Sequence, residues 1–241
     1  MIFLRSLLYQ MAFLPWTLAL GILYLPLLAA PRTWMQKGAA LWVSGALFLQ
    51  RVVLGLSFEC RGMEHLPKGA CIIASKHQSA WETMIFHTLL SDPAFILKRE
   101  LLLLPFVGWY MWKSGQIAVD RRGAAAALRK MTSLAQRAAM EGRQIIIFPE
   151  GHRQSPGETG VFHPGVAMLS ATIGAPVIPV VLNSGLFWGR NAFLRRPGRI
   201  VIEFMPAIAA RQDRKAFMSQ LRAKIEAGTA SLEKEARDRH L

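Results

Sequence analysis

A histidine and a carboxylate stand five positions apart in the stretch Ser75–Thr83, SKHQSAWET. They follow directly on Ala70–Ala74, ACIIA, an apolar run that reads as a buried strand. Inside one regular helix, five positions correspond to about 140° of rotation, and His77 and Glu82 would face apart. With His77 in the loop ahead of a helix and Glu82 in its first turn, the two side chains can meet. Glu82 then accepts the Nδ1–H of His77, fixes the tautomer and leaves Nε2 as a base. That is the base-and-orienter half of a catalytic triad. The nucleophilic half is missing, because the sequence contains no G-x-S-x-G elbow. A base without a protein nucleophile calls for a substrate that brings its own hydroxyl. Oxyanion donors are then needed too, and backbone N–H groups near the helix start are the expected ones.

Two further strand-like runs end in polar clusters, Gly115–Arg122 (GQIAVDRR) and Phe148–Arg153 (FPEGHR). Arg121, Arg122 and Arg153 are the natural anion clamp, since guanidinium forks grip phosphate through paired, charge-assisted hydrogen bonds. A solvated basic surface is the competing reading of the same arginines. Glu150 is placed to accept from a substrate hydroxyl, and the Pro149–Gly151 turn can bring backbone close to a ligand. The sequence has no Walker-type phosphate loop.

For three such clusters to act together, the elements that carry them must end on one edge. Strand-like runs fall at Leu56–Cys60, Ala70–Ala74, Ala94–Leu97, Gln116–Val119, Gln144–Phe148, Pro176–Leu182 and Ile200–Phe204. Several are continuously apolar, as strands buried on both faces are. Helical stretches alternate with them at Glu82–Leu90, Arg122–Met140, Val166–Ile173 and Arg211–Arg237. In the last of these Phe217, Leu221, Ile225 and Leu232 form one stripe. The pattern predicts an α/β domain over residues 55–241. Its central sheet is mixed but largely parallel, has about seven strands and is flanked by helices. Ligands of such sheets sit beyond the carboxyl ends of the strands.

Residues 1–54 differ in kind. After Arg5 no charge appears until Arg32, and Gly38–Gln50 is again apolar. This reads as a membrane-associated helical hairpin, with crossing the bilayer and embedding in one leaflet both open; a buried helix pair packing on the rest of the chain is the competing reading. Trp16, Trp34 and Trp42 suit the headgroup level. Over the whole chain, 52% of the 241 residues are hydrophobic and the formal net charge is +14. Such a chain seeks anions: nucleic acid, anionic lipid or a phosphorylated ligand. Between Glu158 and Glu203 no acidic residue occurs, while Arg190, Arg195, Arg196 and Arg199 do, interleaved with Phe187, Trp188 and Phe193. That segment either presses on anionic lipid or an acidic carrier protein, or is a solvated loop. The two cysteines, Cys60 and Cys71, form no framework or metal spacing and are expected as buried thiols.

These residues resemble the glycerolipid acyltransferases with an H-x4-D signature, specifically the bacterial 1-acyl-glycerol-3-phosphate acyltransferases. His77–Glu82 is similar to the first motif, with Glu82 where the family usually has Asp. Gly115–Arg122 resembles the second. Phe148–Arg153 resembles F-P-E-G-T-R with His152 in place of Thr, and Val177–Val180 resembles the fourth. His163-Pro-Gly165 stands where the family often has Lys-Gly or Lys-Pro-Gly. The resemblance implies His77 as catalytic base and Glu82 as its partner. Arg121, Glu150, Gly151 and Arg153 match acceptor-binding positions, with Arg122 their neighbour. It implies acyl transfer from acyl-CoA or acyl carrier protein to the sn-2 hydroxyl of lysophosphatidic acid, giving phosphatidic acid, with no cofactor and no metal. The implied setting is the inner membrane, with anionic lipids as partners and the catalytic domain facing the cytoplasm. Other acceptors (glycerol 3-phosphate, another lysophospholipid, a lyso-ornithine lipid) would use the same chemistry. A metal hydrolase on His77, Glu82, His87, His152 or His163 lacks recognised ligand spacing. A nucleic-acid binder leaves the His77–Glu82 pair unexplained, so no nucleic acid is expected.

Overall fold

The computed structural model describes residues 1–120, 124–210 and 213–240. Its seven strands are β1 (Leu56–Arg61), β2 (Cys71–Ser75), β3 (Pro93–Lys98), β4 (Ile117–Val119), β5 (Gln144–Ile147), β6 (Val177–Leu182) and β7 (Gly198–Phe204). They form one sheet in the order β1-β7-β6-β2-β5-β3-β4. Every neighbouring pair is parallel except β6–β7. The mixed, largely parallel sheet expected from the sequence is present, and each predicted strand lies within two residues of an observed one.

Alternation along each buried strand feeds two separate cores. Ile73, Ile146, Ile178, Val180 and Ile202 pack on one face, with Trp81, Ile85 and Phe86 of α3 (Trp81–Leu89). Ile72, Ile145, Ile147, Val177 and Val201 pack on the other. There they meet α5 (Ala124–Met140), α6 (Gly165–Ile173) and α7 (Arg214–His240). The stripe Phe217, Leu221, Ile225 and Leu232 is buried as its spacing implies.

The N-terminal hairpin consists of α1 (Ile2–Leu23) and α2 (Arg32–Leu49), and α2 runs on as a π-turn to Leu54. It packs on the α/β unit at several points. Tyr9 and Leu54 belong to the α3-side core. Val43 and Ala46 pack on Met84 of α3. At the foot of α2, Arg32 pairs with Asp92 at 2.5 Å and Gln36 donates to Asp92 and the Pro93 carbonyl, while Arg143 reaches Asp92 from the other side at 3.1 Å. Two of the three tryptophans of the hairpin face the neighbouring helix. Trp16 donates to the Trp42 carbonyl at 3.0 Å and Trp42 donates to Thr17 at 3.1 Å, so both rings lie in the seam between the helices. A half-buried indole N–H needs an acceptor, and the facing helix supplies it. Trp34 is exposed.

Residues 187–199 are neither a solvated loop nor wholly outward-facing. Phe187, Trp188 and Arg195 are buried. The Arg195 guanidinium lies over the rings of Trp188 and Tyr9, 4.3 and 4.8 Å from their centres. This cation–π sandwich docks the segment onto α1. Arg190, Phe193, Arg196 and Arg199 remain exposed. A further helix, α4 (Val107–Lys113), and the 3-10 turn Arg99–Leu103 before it have no counterpart among the predicted elements.

Candidate active site

Because β2, β4, β5 and β6 run in the same direction, their carboxyl ends share one edge. Lys76-His77 leaves β2 there, Phe148–Arg153 leaves β5, Ser184 follows β6 and Asp120 follows β4. β2 lies between β5 and β6, so His77 is flanked by the other two loops.

His77 sits in the loop and Glu82 in the first turn of α3, the arrangement their five-residue spacing requires. Nδ1 of His77 lies 2.9 Å from Oε1 of Glu82. Glu82 is 0% exposed. Its Oε1 also accepts the Gln78 and Ser79 backbone N–H groups, both at 2.6 Å, and its Oε2 accepts the Ser184 hydroxyl at 2.8 Å. The carboxylate thus reaches back over the helix start as a capping-box glutamate does. Four donors satisfy it, which is what a buried carboxylate needs. The His77 ring stacks on Phe148, with centroids 4.1 Å apart and planes at 20°. Its side chain is 12% exposed. Among the described residues Nε2 has no protein partner, so one nitrogen is fixed and the other faces the edge.

The expected oxyanion donors do not hold in their simple form. The Gln78 and Ser79 amides point at Glu82, the Trp81 amide at the Ser79 hydroxyl, and the His77 amide at Glu150. All four are engaged within the protein.

Glu150 is 0% exposed and stands behind the loop instead of facing the edge. One of its oxygens takes the Lys76 ammonium at 2.5 Å and the other the His77 backbone N–H at 3.1 Å. Lys76, itself 2% exposed, also donates to the Glu158 carbonyl at 3.1 Å. A substrate hydroxyl has no access to this carboxylate as it stands. The turn it belongs to does bend as its glycine suggests. Gly151 has φ 70°, and its amide closes on the Phe148 carbonyl at 3.0 Å. Beyond the turn, Gln154 donates its backbone N–H to the His77 carbonyl at 2.9 Å, locking the two loops together. Arg153 is half-buried and makes no side-chain ion pair among the described residues. Arg121 and Arg122 lie outside the described residues. Gly115, at the far end of β4, belongs to the Asp92–Arg143 network, not to the edge: its carbonyl accepts from Arg143 at 2.8 Å.

Three supporting residues escaped the sequence reading. Lys76 carried a usable signal, because a lysine at the end of a buried strand must find a carboxylate. Gln78, fully buried, donates to Glu233 of α7 at 2.7 Å and accepts the Gly185 amide at 3.1 Å. Neither that pairing nor the reach of Ser184 to Glu82 leaves a local pattern. His87 lies in the last turn of α3, its Nδ1 buried and without a hydrogen-bond partner among the described residues, and burial lowers its pKa to about 4. Burial likewise pushes the free thiols of Cys60 and Cys71 up, to about 11 and about 12.

A buried carboxylate fixing a histidine at the strand-end edge of an α/β sheet is the arrangement of a general base that can take a proton from a substrate hydroxyl. A family model described as Acyltransferase matches residues 57–183, and the chain belongs to that family. The 1-acyl-sn-glycerol-3-phosphate acyltransferase of Pseudomonas aeruginosa is 36% identical over 186 residues, covering 77% of this chain and 72% of that protein. The 1-acyl-sn-glycerol-3-phosphate acyltransferase alpha of Mus musculus is 28% identical over 206 residues, covering 83% and 72%. The crystal structure of the 1-acyl-sn-glycerophosphate (LPA) acyltransferase, PlsC, from Thermotoga maritima has the same fold. Its TM-score is 0.77 at 20% sequence identity, over 97% of this chain and 99% of that one.

Proposed function

We propose that this acyltransferase esterifies the sn-2 hydroxyl of lysophosphatidic acid, forming phosphatidic acid, with an acyl thioester of coenzyme A or acyl carrier protein as donor. The observation that carries the reading is His77, whose Nδ1 is held by buried Glu82 while Nε2 has no protein partner among the described residues. Nε2 takes the proton of the acceptor hydroxyl as its oxygen attacks the thioester carbonyl. The tetrahedral oxyanion collapses, the carbon–sulfur bond breaks, and the imidazolium returns the proton to the departing thiolate. Atoms and charge balance with no further reactant. Arg153, with Arg121 and Arg122, supplies the phosphate clamp. Glu150 acts behind them, through the loop that carries His77.

The hairpin supports a membrane setting. α1 and α2 are long and apolar enough to cross a bilayer, yet both also pack on the α/β unit, α1 through Tyr9 and α2 through Val43 and Ala46. The opposite face exposes Leu4, Leu8, Met11, Leu18, Leu41 and Phe48. A hairpin with one face on protein and one in oil fits embedding in a single leaflet. The membrane is the inner one, with the catalytic domain on its cytoplasmic side, where thioester donors are found. The test is acyl transfer by the purified chain, offered lysophosphatidic acid, glycerol 3-phosphate and lysophosphatidylcholine with both donor types. Phosphatidic acid should form fastest. Faster acylation of either other acceptor would replace the acceptor assignment, and no acylation of any would overturn the reading.

A further inference from the structure

The hairpin is not the only oily surface. Within Leu101–Trp112 six large apolar side chains are exposed: Leu101, Leu103, Leu104, Val107, Trp109 and Trp112. Leu103 is 80% exposed and Trp112 69%. A soluble surface rarely gathers so many, and a contiguous patch of this kind marks an interaction site. The segment has a built shape. The chain reverses at Phe106, a non-glycine residue with φ 59°, and α4 folds back so tightly on the 3-10 turn that a Cβ at Gly108 would meet the Leu102 carbonyl oxygen at 2.3 Å.

The patch is continuous with the hairpin. Tyr110 donates its hydroxyl to the Gly21 carbonyl and sets its ring edge-on to Tyr24. Between α4 and the hairpin turn lies a groove lined by Leu28, Leu102, Gly108, Trp109 and Trp112, without a charged residue. The indole N–H groups of Trp109 and Trp112 have no protein acceptor among the described residues, which suits rings placed at a lipid headgroup boundary. Lys98, Arg99 and Glu100 precede the segment, with Arg99 3.8 Å from Asp120, and Lys113 follows it. Lys113 is a cation that can meet the phosphates flanking hydrocarbon in a leaflet.

We propose that Leu101–Trp112 is a second membrane-insertion element, and that the groove against Leu28 takes one acyl chain of a leaflet lipid. This rests on the reading of the hairpin as membrane-embedded. The experiment uses the full chain and vesicles of phosphatidylcholine with phosphatidylglycerol, and compares partitioning of Leu103→Glu and Trp112→Glu with the hairpin variant Leu8→Glu. All three positions are exposed, and circular dichroism together with activity on detergent-dispersed acceptor checks the fold. Each substitution in Leu101–Trp112 should weaken partitioning at least about fivefold, as expected for removing a buried apolar side chain from oil. Lipids brominated on their acyl chains should quench tryptophan emission less in Trp112→Phe than in wild type. A loss confined to Leu8→Glu overturns this proposal and leaves the hairpin reading standing. A loss confined to residues 103 and 112 upholds insertion of the segment and overturns the hairpin reading. Bromine quenching unchanged by Trp112→Phe overturns the groove assignment.

Discussion

Glu82 takes four hydrogen bonds, and each ties it to a different part of the site: the His77 ring, two loop amides and the hydroxyl after β6. Its first consequence is kinetic. His77→Ala should lower kcat by at least about a hundredfold, the usual worth of a general base, with the fold intact by circular dichroism. Glu82→Gln keeps the shape but removes the charge that favours Nδ1–H, so kcat should fall by a similar factor. Glu82→Asp, the residue usual in the family, should retain more activity than Glu82→Ala. Near-normal turnover in a folded His77→Ala protein would end the mechanism. Behind this pair, Lys76 and Glu150 form a buried ion pair that also holds the His77 backbone. Removing one partner leaves an uncompensated buried charge, at a cost of about 3–5 kcal/mol. Lys76→Met and Glu150→Gln should each lower the denaturant midpoint strongly, and the double variant should recover part of the loss. A double variant that loses the sum of the two single losses would show that the charges are not paired in solution. The proposed phosphate clamp has its own readout. A charge-assisted hydrogen bond is worth about 1.5–3 kcal/mol, so Arg153→Ala should narrow the kcat/KM preference for lysophosphatidate over lysophosphatidylcholine by roughly ten- to a hundredfold. Arg153→Lys should restore charge but not the fork. A preference unmoved by Arg153→Ala would place that side chain away from the phosphate.

At the scale of elements, α3 joins the chemistry to the hairpin: Glu82 sits in its first turn, Met84 carries α2, and His87 closes its last turn. His87 packs on Phe95, with ring centroids 5.1 Å apart, and its pKa falls from 6.5 to about 4 through burial. The unfolded chain therefore takes up a proton near pH 6.5 that the folded chain refuses until about pH 4. Stability must fall as pH drops through that window, by about 2 kcal/mol between pH 7 and pH 5. His87→Phe should flatten this limb in denaturant titrations at the two pH values, and an equally steep fall in the variant would assign it to other groups. Much at this scale was legible in advance. The strands are apolar runs punctuated by glycine and proline, and α7 shows one clean stripe. The segment carrying α4 was not legible, because Leu101–Trp112 is apolar all round and gives no period to read. The pairing of Lys76 with Glu150 was hidden for another reason. It depends on β2 lying beside β5, and the order of strands in a parallel sheet leaves no local trace. The tryptophans of the hairpin were visible, but composition alone did not show which of them faced a helix and which faced out.

For the whole molecule, charge and oil act on the same surface. The net charge is +14, yet many acidic groups are already held in internal pairs: Asp92 by Arg32 and Arg143, Glu150 by Lys76, Glu235 by Arg61, Glu233 by Arg237. Three cations without an acidic partner among the described residues lie on the apolar hairpin. Arg5 is exposed at the start of α1, Lys37 near the foot of α2 and Arg51 at its far end, and none of them forms an ion pair among the described residues. Between Arg5 and Arg32, and again between Lys37 and Arg51, the chain carries no charge, so cations stand at both ends of an oily face. Binding to a leaflet then has two parts with different salt dependence. The apolar part does not depend on anionic lipid. The electrostatic part adds about 1 kcal/mol per Lys or Arg near an anionic surface. It is screened as the Debye length shrinks from about 10 Å at 0.1 M salt to about 3 Å at 1 M. Partitioning of the full chain should therefore be at least about tenfold stronger on vesicles containing phosphatidylglycerol than on phosphatidylcholine alone at low salt. The difference should vanish at about 1 M salt, leaving the binding to neutral vesicles little changed. Triple replacement Arg5→Gln, Lys37→Gln and Arg51→Gln should remove most of the salt-sensitive part and spare the rest. Equal binding to the two vesicle types at low salt would mean that these cations face away from the membrane, and that the hairpin is oriented by its apolar surface alone.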